Sequence, residues 1–377
     1  MKHIPFTRPA LVGGEIENIQ KAISSDKLSG DGYFTRLCHE WFAEYYQAKC
    51  LLTTSCTHAL EMISLLIDLK PSDEIIMPSY TFVSTANPFV MRGARVKFVD
   101  IDPNTMNIDI DMIERHITKK TKAIVVVHYA GVSCDMDRLK SIAKNKNVIL
   151  IEDAAQALGS HYKGKPLGSF GDLSAVSFHD TKNVNSGGEG GLLIINSKKY
   201  EVTSEIIREK GTNRSEFMRG EVGKYTWVGV GSSYLPSELQ AAFLYAQVCN
   251  LDKITSARVN LWNRYYAGLK EVDYIELPSI PDQVVSNGHI FYIKLKDQQL
   301  RSDLIEYLAG KNIQSVFHYI PLHSSPFGIE NTEFLGLDEY TTSCSNRLLR
   351  LPLWYGLTVE EVDYICSEIK FFLSNKL

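Results

Sequence analysis

The sequence predicts an α/β fold, with a large domain on a mainly parallel sheet followed by a smaller α+β domain. Two observations carry this. Between about residues 50 and 196, short runs rich in Val, Ile and Leu alternate with helical patterns. Most of those runs are apolar throughout, as strands buried on both faces require, and strand–helix alternation is the signature of a parallel sheet. From about residue 274 the pattern changes to shorter strands and helices, which marks a second unit. The division is expected near residue 250, giving a large domain over 1–250 and a small one over 251–377.

Seven strands are predicted for the large sheet. In order they are AKCLLTTS (48–55), DEIIMPSY (73–80), ARVKFVDI (94–101), KAIVVVHYA (122–130), NVILIEDA (147–154), LSAVSFH (173–179) and GGLLIIN (190–196). Between them, 57–69 places Leu60, Ile63 and Leu66 at helical spacing, and 110–117 and 137–144 read as further helices. A long helical region covers roughly 237–269. The small domain is expected to hold HIFYIKL (289–295), DLIEYLAGKN (303–312), SVFHYIPL (315–322) and a closing helix over about 359–373.

Bulk composition narrows the function. The 377 residues are 44% hydrophobic and 22% charged, with 40 Lys and Arg against 44 Asp and Glu. A net charge of −4 without a basic patch argues against nucleic-acid binding. No apolar run approaches the length of a membrane span, and the first twenty residues do not resemble a secretory signal. Seven scattered cysteines form no CxxC pair, which points to reduced thiols in a cytoplasm and to no metal site.

Ligands of doubly wound sheets collect beyond the carboxyl ends of the strands, so the chemistry is sought there. The first strand delivers Ser55, Cys56 and Thr57 into a helix start, where free N–H groups favour a phosphate; an ordinary helix cap is the alternative. The second delivers Tyr80 and Phe82, either core residues or a platform for a planar ring. VILIEDAAQ places Asp153 and Gln156 after four apolar residues, and a carboxylate there needs a cap or a cationic partner such as a protonated pyridine. LSAVSFHD delivers Ser177 and His179, then Lys182, which alone reads as a solvated turn lysine. Together these are the parts needed to bind pyridoxal phosphate and hold it on Lys182. Asp153 would keep the pyridine nitrogen protonated, and Lys182 would move the proton.

The segments TSCTHALEM, PSYTFVSTAN, EDAAQ, SFHDTKN followed by GGEGG, and SSYLPSELQAA occur in this order. With SGDGYFTR, HYIPLH and RLLRLPL they span nearly the whole chain and resemble the DegT/StrS-type nucleotide-sugar aminotransferases, enzymes with the aspartate-aminotransferase-like fold, type I. The resemblance implies that Lys182 is the Schiff-base lysine, Asp153 the pyridinium partner, Gln156 the hydrogen-bond partner of the ring hydroxyl and Phe82 the stacked aromatic. It implies phosphate-side roles for Ser55, Cys56, Thr57 and Ser177. Many members have Asn and Arg where this chain has Ser233 and Leu235, and that Asn reaches the partner subunit's phosphate, so Ser233 is a weaker match. Related dehydratases carry His at the lysine position; Lys182 stands there here, with His179 three residues earlier, which favours transamination. REKGTNRSEFMRGEV, KYTW and SSYLPS resemble the members that aminate a dTDP-4-keto-6-deoxyhexose at C4 with L-glutamate, giving dTDP-4-amino-4,6-dideoxygalactose for cell-surface polysaccharides. Amination at C3, and a silent cofactor-binding protein, stay open. For the sugar nucleotide the candidates are Gly30, Arg214, Arg219, His318, Tyr319 and His323. The family builds its site at a subunit interface, so at least a homodimer is expected.

Overall fold

The computed structural model describes residues 3–376. The strands of the first half are β1 (Lys49–Thr53), β2 (Glu74–Pro78), β3 (Arg95–Val99), β4 (Thr121–Val127) and β5 (Ile149–Asp153). A small hairpin follows, β6 (His161–Tyr162) and β7 (Lys165–Pro166), then β8 (Leu173–Ser177) and β9 (Gly191–Ile195). The second half adds β10 (Val284–Val285), β11 (Phe291–Lys294), β12 (Val316–Phe317), β13 (Glu333–Phe334) and β14 (Leu348–Leu351).

The main sheet has eight strands in the order β1-β9-β8-β5-β4-β2-β3-β13, not the seven expected. The extra strand is β13, two residues from the late chain that pair in parallel with Lys97 and Phe98 of β3. A two-residue strand has no periodicity to read, so its sequence gave no warning. Only β9 runs against its neighbours, pairing antiparallel with both β1 and β8. The carboxyl ends of β1, β2, β4, β5 and β8 therefore share one edge. The register sets Gly191, at the start of β9, opposite both Thr53 and Ser177.

Alternation along the buried strands feeds two cores, one on each face. Leu52, Ile76, Val126, Leu150 and Val176 point to one face. Leu51, Ile75, Val125, Ile151 and Ala175 point to the other. Burying such side chains is worth roughly 1.5–3 kcal/mol each, so register is fixed firmly at the strand ends that matter. Helices Cys56–Leu66, Ile110–His116 and Met136–Lys146 lie close to their predicted spans. The predicted helical region 237–269 is two helices, Glu238–Val248 and Leu251–Leu269. Segment 83–90, between β2 and β3, is a further helix.

A third core lies between helix Leu251–Leu269, helix Val359–Lys376 and the sheet β11-β14-β12. Ile4 belongs to it and bridges Ile313, so the beginning of the chain runs beside the late elements.

Candidate active site

Helix Cys56–Leu66 begins immediately beyond β1. The Ser55 hydroxyl caps it by accepting the His58 N–H at 3.1 Å. The N–H groups of Cys56 and Thr57 occupy the first helical positions and have no acceptor within the helix. Glycine at 191 allows this start to sit against β9, because a Cβ there would lie 2.3–2.4 Å from Ser55 C and O and Cys56 N. Ser177 closes the same corner, buried at the end of β8. Thr57 Oγ1 donates to Ser84 Oγ at 2.8 Å. The corner offers hydroxyls and unpaired N–H groups around a helix start, the donor set a phosphate takes.

Asp153 ends β5 and is 5% exposed. Its Oδ1 accepts the Ala155 N–H at 3.1 Å and its Oδ2 accepts the Thr85 hydroxyl at 2.7 Å. Thr85 has one hydroxyl hydrogen and gives it to Asp153, so in the 2.7 Å contact with Thr81 Oγ1 the donor is Thr81. Burial still pushes the Asp153 carboxyl above its ordinary value, against the pull of Thr85, Ala155, Lys182 and His128. Such a carboxylate is suited to a buried cation.

Gln156 is fixed from both ends. Its Oε1 accepts the Ala130 N–H at 2.7 Å, and its Nε2 donates to Tyr319 Oη at 3.1 Å. The amide orientation follows, and Nε2 retains one hydrogen to offer the cavity. Phe82 is 57% exposed, with its ring 6.2 Å from that of Tyr319.

Lys182 follows β8 in a turn closed by its own N–H to the His179 carbonyl at 2.9 Å. Its side chain is half-buried. Burial pulls its amine below lysine's ordinary value and Arg350 adds to the effect, while Cys56 and Asp153 oppose it. Next to it, Asn183 Nδ2 donates to the Asn287 carbonyl and its Oδ1 contacts His289 Nδ1 at 2.8 Å, tying the lysine turn to the start of β11.

These groups line one cavity of about 570 Å³. Of the residues singled out from sequence, Ser55, Cys56, Thr57, Phe82, Asp153, Gln156, Ser177, Lys182, His318 and Tyr319 all border it. Gly30, Arg214, Arg219, Ser233 and His323 do not. Arg214 pairs with Glu209, and Arg219 with Glu205 and Glu221. Ser233 bridges Glu209 through its backbone. His323 lies between Ser79 and Asp338. A Cβ at Gly30 would meet the Pro236 carbonyl at 2.6 Å, so the backbone there packs too closely for a side chain.

Other lining residues went unread in the sequence: Thr81 and Thr85, Arg258, His289 and Arg350. Thr81 precedes helix Val83–Val90 and Thr85 lies in its first turn, where the two hydroxyls meet. Arg350 is the one charge within the apolar strand Leu348–Leu351, a signal the sequence carries, whereas Arg258 stands among other charged and polar residues of helix Leu251–Leu269.

Across residues 10–370 the chain matches the DegT/DnrJ/EryC1/StrS aminotransferase family. The chain belongs to that family. The GDP-perosamine synthase of Escherichia coli O157:H7 is 31% identical over 378 residues, covering all of both chains. Two solved structures superpose over nearly the full length. They are the aminotransferase TlmJ from Streptoalloteichus hindustanus (TM-score 0.91, 26% identity, 99% of each chain) and the PLP-form of the sugar aminotransferase Spr1654 from Streptococcus pneumoniae (TM-score 0.90, 27% identity, 100% of each). The protein is a PLP-dependent aminotransferase. The phosphate corner, the buried carboxylate and the half-buried amine fit pyridoxal phosphate, since each offers what one part of that molecule requires.

Proposed function

We propose that the enzyme transfers the amino group of L-glutamate to C4 of a dTDP-4-keto-6-deoxyhexose. The products are dTDP-4-amino-4,6-dideoxygalactose and 2-oxoglutarate, made in the cytoplasm for cell-surface polysaccharide. The observation that supports the chemistry is the sharing of one cavity by Lys182, Asp153 and the Ser55–Thr57 helix start. Bound pyridoxal phosphate supplies an electron sink that makes a Cα–H bond acidic. Asp153, whose carboxylate accepts from Thr85 and Ala155, would keep the proton on the cofactor's ring nitrogen. Gln156 would donate from Nε2 to the ring oxygen, and Phe82 would cover one face of the ring. Ser177, the hydrogen-bonded Thr57–Ser84 hydroxyl pair and the N–H groups of Cys56 and Thr57 would hold the phosphate.

Lys182 would hold the cofactor through Nζ, and the same amine would carry the proton away from the donor carbon and later deliver one to the sugar carbon. It needs a neutral amine for this, and the lowered pKa is in the required direction. His179, half-exposed and facing Asp180 and Glu189, is a supporting residue. Ser233, Arg214 and Arg219 lie off the cavity of their own chain and act from across the interface of a homodimer. Residues 1–250 form the large domain of each subunit and 251–377 the small one.

The choice of dTDP and C4 rests on the resemblance of REKGTNRSEFMRGEV, KYTW and SSYLPS. A GDP-sugar is the second reading, favoured by the full-length likeness to GDP-perosamine synthase. Incubation with L-glutamate and, separately, dTDP- and GDP-linked 4-keto-6-deoxyhexoses and a dTDP-3-keto sugar, followed by NMR of the products, separates them. Amination of the dTDP-4-keto sugar at C4 is expected. Product only from the GDP-sugar, or only from the 3-keto sugar, overturns the assignment.

A further inference from the structure

The cavity holds a guanidinium that the chemistry above leaves unused. Arg350 interrupts the apolar strand β14, LLRL, and borders the cavity together with Lys182. Its Nε is buried without a hydrogen-bond partner among the described residues. Its close neighbour is the Phe6 ring, 4.5 Å from the guanidinium carbon. Neighbouring cations are treated differently, since Lys294 and Arg347 both pair with Glu276.

The cavity's other charges are already engaged. Arg258 donates Nε to the Gly288 carbonyl at 3.2 Å and Nη2 to the His289 carbonyl at 2.7 Å. Of the two lining carboxylates, Asp153 is held by Thr85 and Ala155, and Glu189 lies 3.5 Å from His179. His289 and His318 are held neutral by burial, with nearby cations adding to it. Burial together with Arg350 pulls Arg258 down to about 9. Among the described residues that line the pocket, Arg350 thus presents a planar fork of donors without an acceptor, and leaving such donors unmade is costly. The fork geometry matches a carboxylate.

We propose that Arg350 receives the α-carboxylate of the amino-acid donor. This rests on the aminotransferase reading and adds the group that admits the donor. An α-carboxylate sits on the same carbon as the reacting amine, so its anchor must lie beside Lys182. Arg350 meets that condition: it lines the same cavity as Lys182, Tyr319 and His318, and its charge acts on all three. The diphosphate of a sugar nucleotide is separated from the reacting sugar carbon by half the ring and the glycosidic oxygen. Its anchor belongs further from the amine.

The test uses the holoenzyme and α-methyl-L-glutamate, which has no Cα–H and reports binding by a cofactor absorbance change without turnover. Arg350→Met should weaken this analogue roughly 30- to 100-fold, the loss of a charge-assisted bidentate pair. It should slow the L-glutamate half-reaction by a similar factor, while dTDP and GDP affinities from calorimetry stay unchanged. Arg350→Lys keeps the charge without the fork and should fall between, which decides the matter if the Met variant fails to fold. Unchanged analogue binding in both variants overturns the proposal, as does weakened dTDP or GDP binding with the analogue unaffected, which would mark a diphosphate site. A wild-type enzyme unresponsive to L-glutamate and the analogue alike removes the donor, and with it the proposed function.

Discussion

Replacing Thr85 by Val removes one hydroxyl and keeps the side-chain shape. That hydroxyl donates to Asp153 Oδ2 at 2.7 Å and is in turn supported by Thr81 at 2.7 Å. A hydrogen bond to a charged group is worth about 1.5–3 kcal/mol net. At 1.36 kcal/mol per pKa unit, its loss raises the Asp153 pKa by about 1–2 units. The sign follows from which form is bonded: Thr85 favours the carboxylate, burial already opposes it, and the substitution removes the first of the forces that lower it. Asp153 must be ionised to hold the ring proton, so activity is lost as pH falls. In Thr85→Val that loss begins at a pH about 1–2 units higher and is recovered well above it. The assay is the pH dependence of the L-glutamate half-reaction, followed by cofactor absorbance, with cofactor content measured in parallel. Thr81→Val acts through Thr85 and should shift the same limb less. A Thr85→Val enzyme with full cofactor content and an unmoved acid limb would refute this role for Thr85.

Two further substitutions test the scaffold. Glu238 is buried, accepts the N–H groups of Gly32, Phe34 and Thr35 at 2.9, 2.8 and 3.1 Å, and takes the Thr35 hydroxyl as well. Glu238→Ala strands those donors at the start of helix Tyr33–Tyr46 and should cost about 3–5 kcal/mol, read as a lower urea midpoint; an unchanged midpoint would contradict the cap. Gly191→Ala forces a methyl onto the Ser55–Cys56 backbone, which cannot yield as a side chain would. A loss of about 1–3 kcal/mol in stability is expected, with weaker cofactor retention on dialysis; normal retention would show that the helix start does not hold the phosphate.

The parallel sheet was legible because its strands are buried on both faces and so carry apolar runs of strand length. Strand ends then ordered Ser55, Asp153, Ser177 and Lys182 along one edge, and the fold places them around one cavity. What stayed hidden came from tertiary packing. β13 is two residues long and joins the sheet only because the late chain returns to β3. Thr85 acts through Asp153, 68 residues later in the chain, and Arg350 comes from a sheet almost two hundred residues beyond Asp153 in sequence. Arg214 and Arg219, which stand out in sequence as basic residues, are paired within the chain with Glu209, Glu205 and Glu221.

The central claim is that Lys182 carries the cofactor. Borohydride reduction of the holoenzyme, proteolysis and mass spectrometry of the peptides test it directly. A single pyridoxyl-phosphate adduct on Lys182 is predicted, absent from Lys182→Ala, which should also lose turnover with L-glutamate. An adduct on another lysine, or a Lys182→Ala enzyme with full turnover, would contradict it.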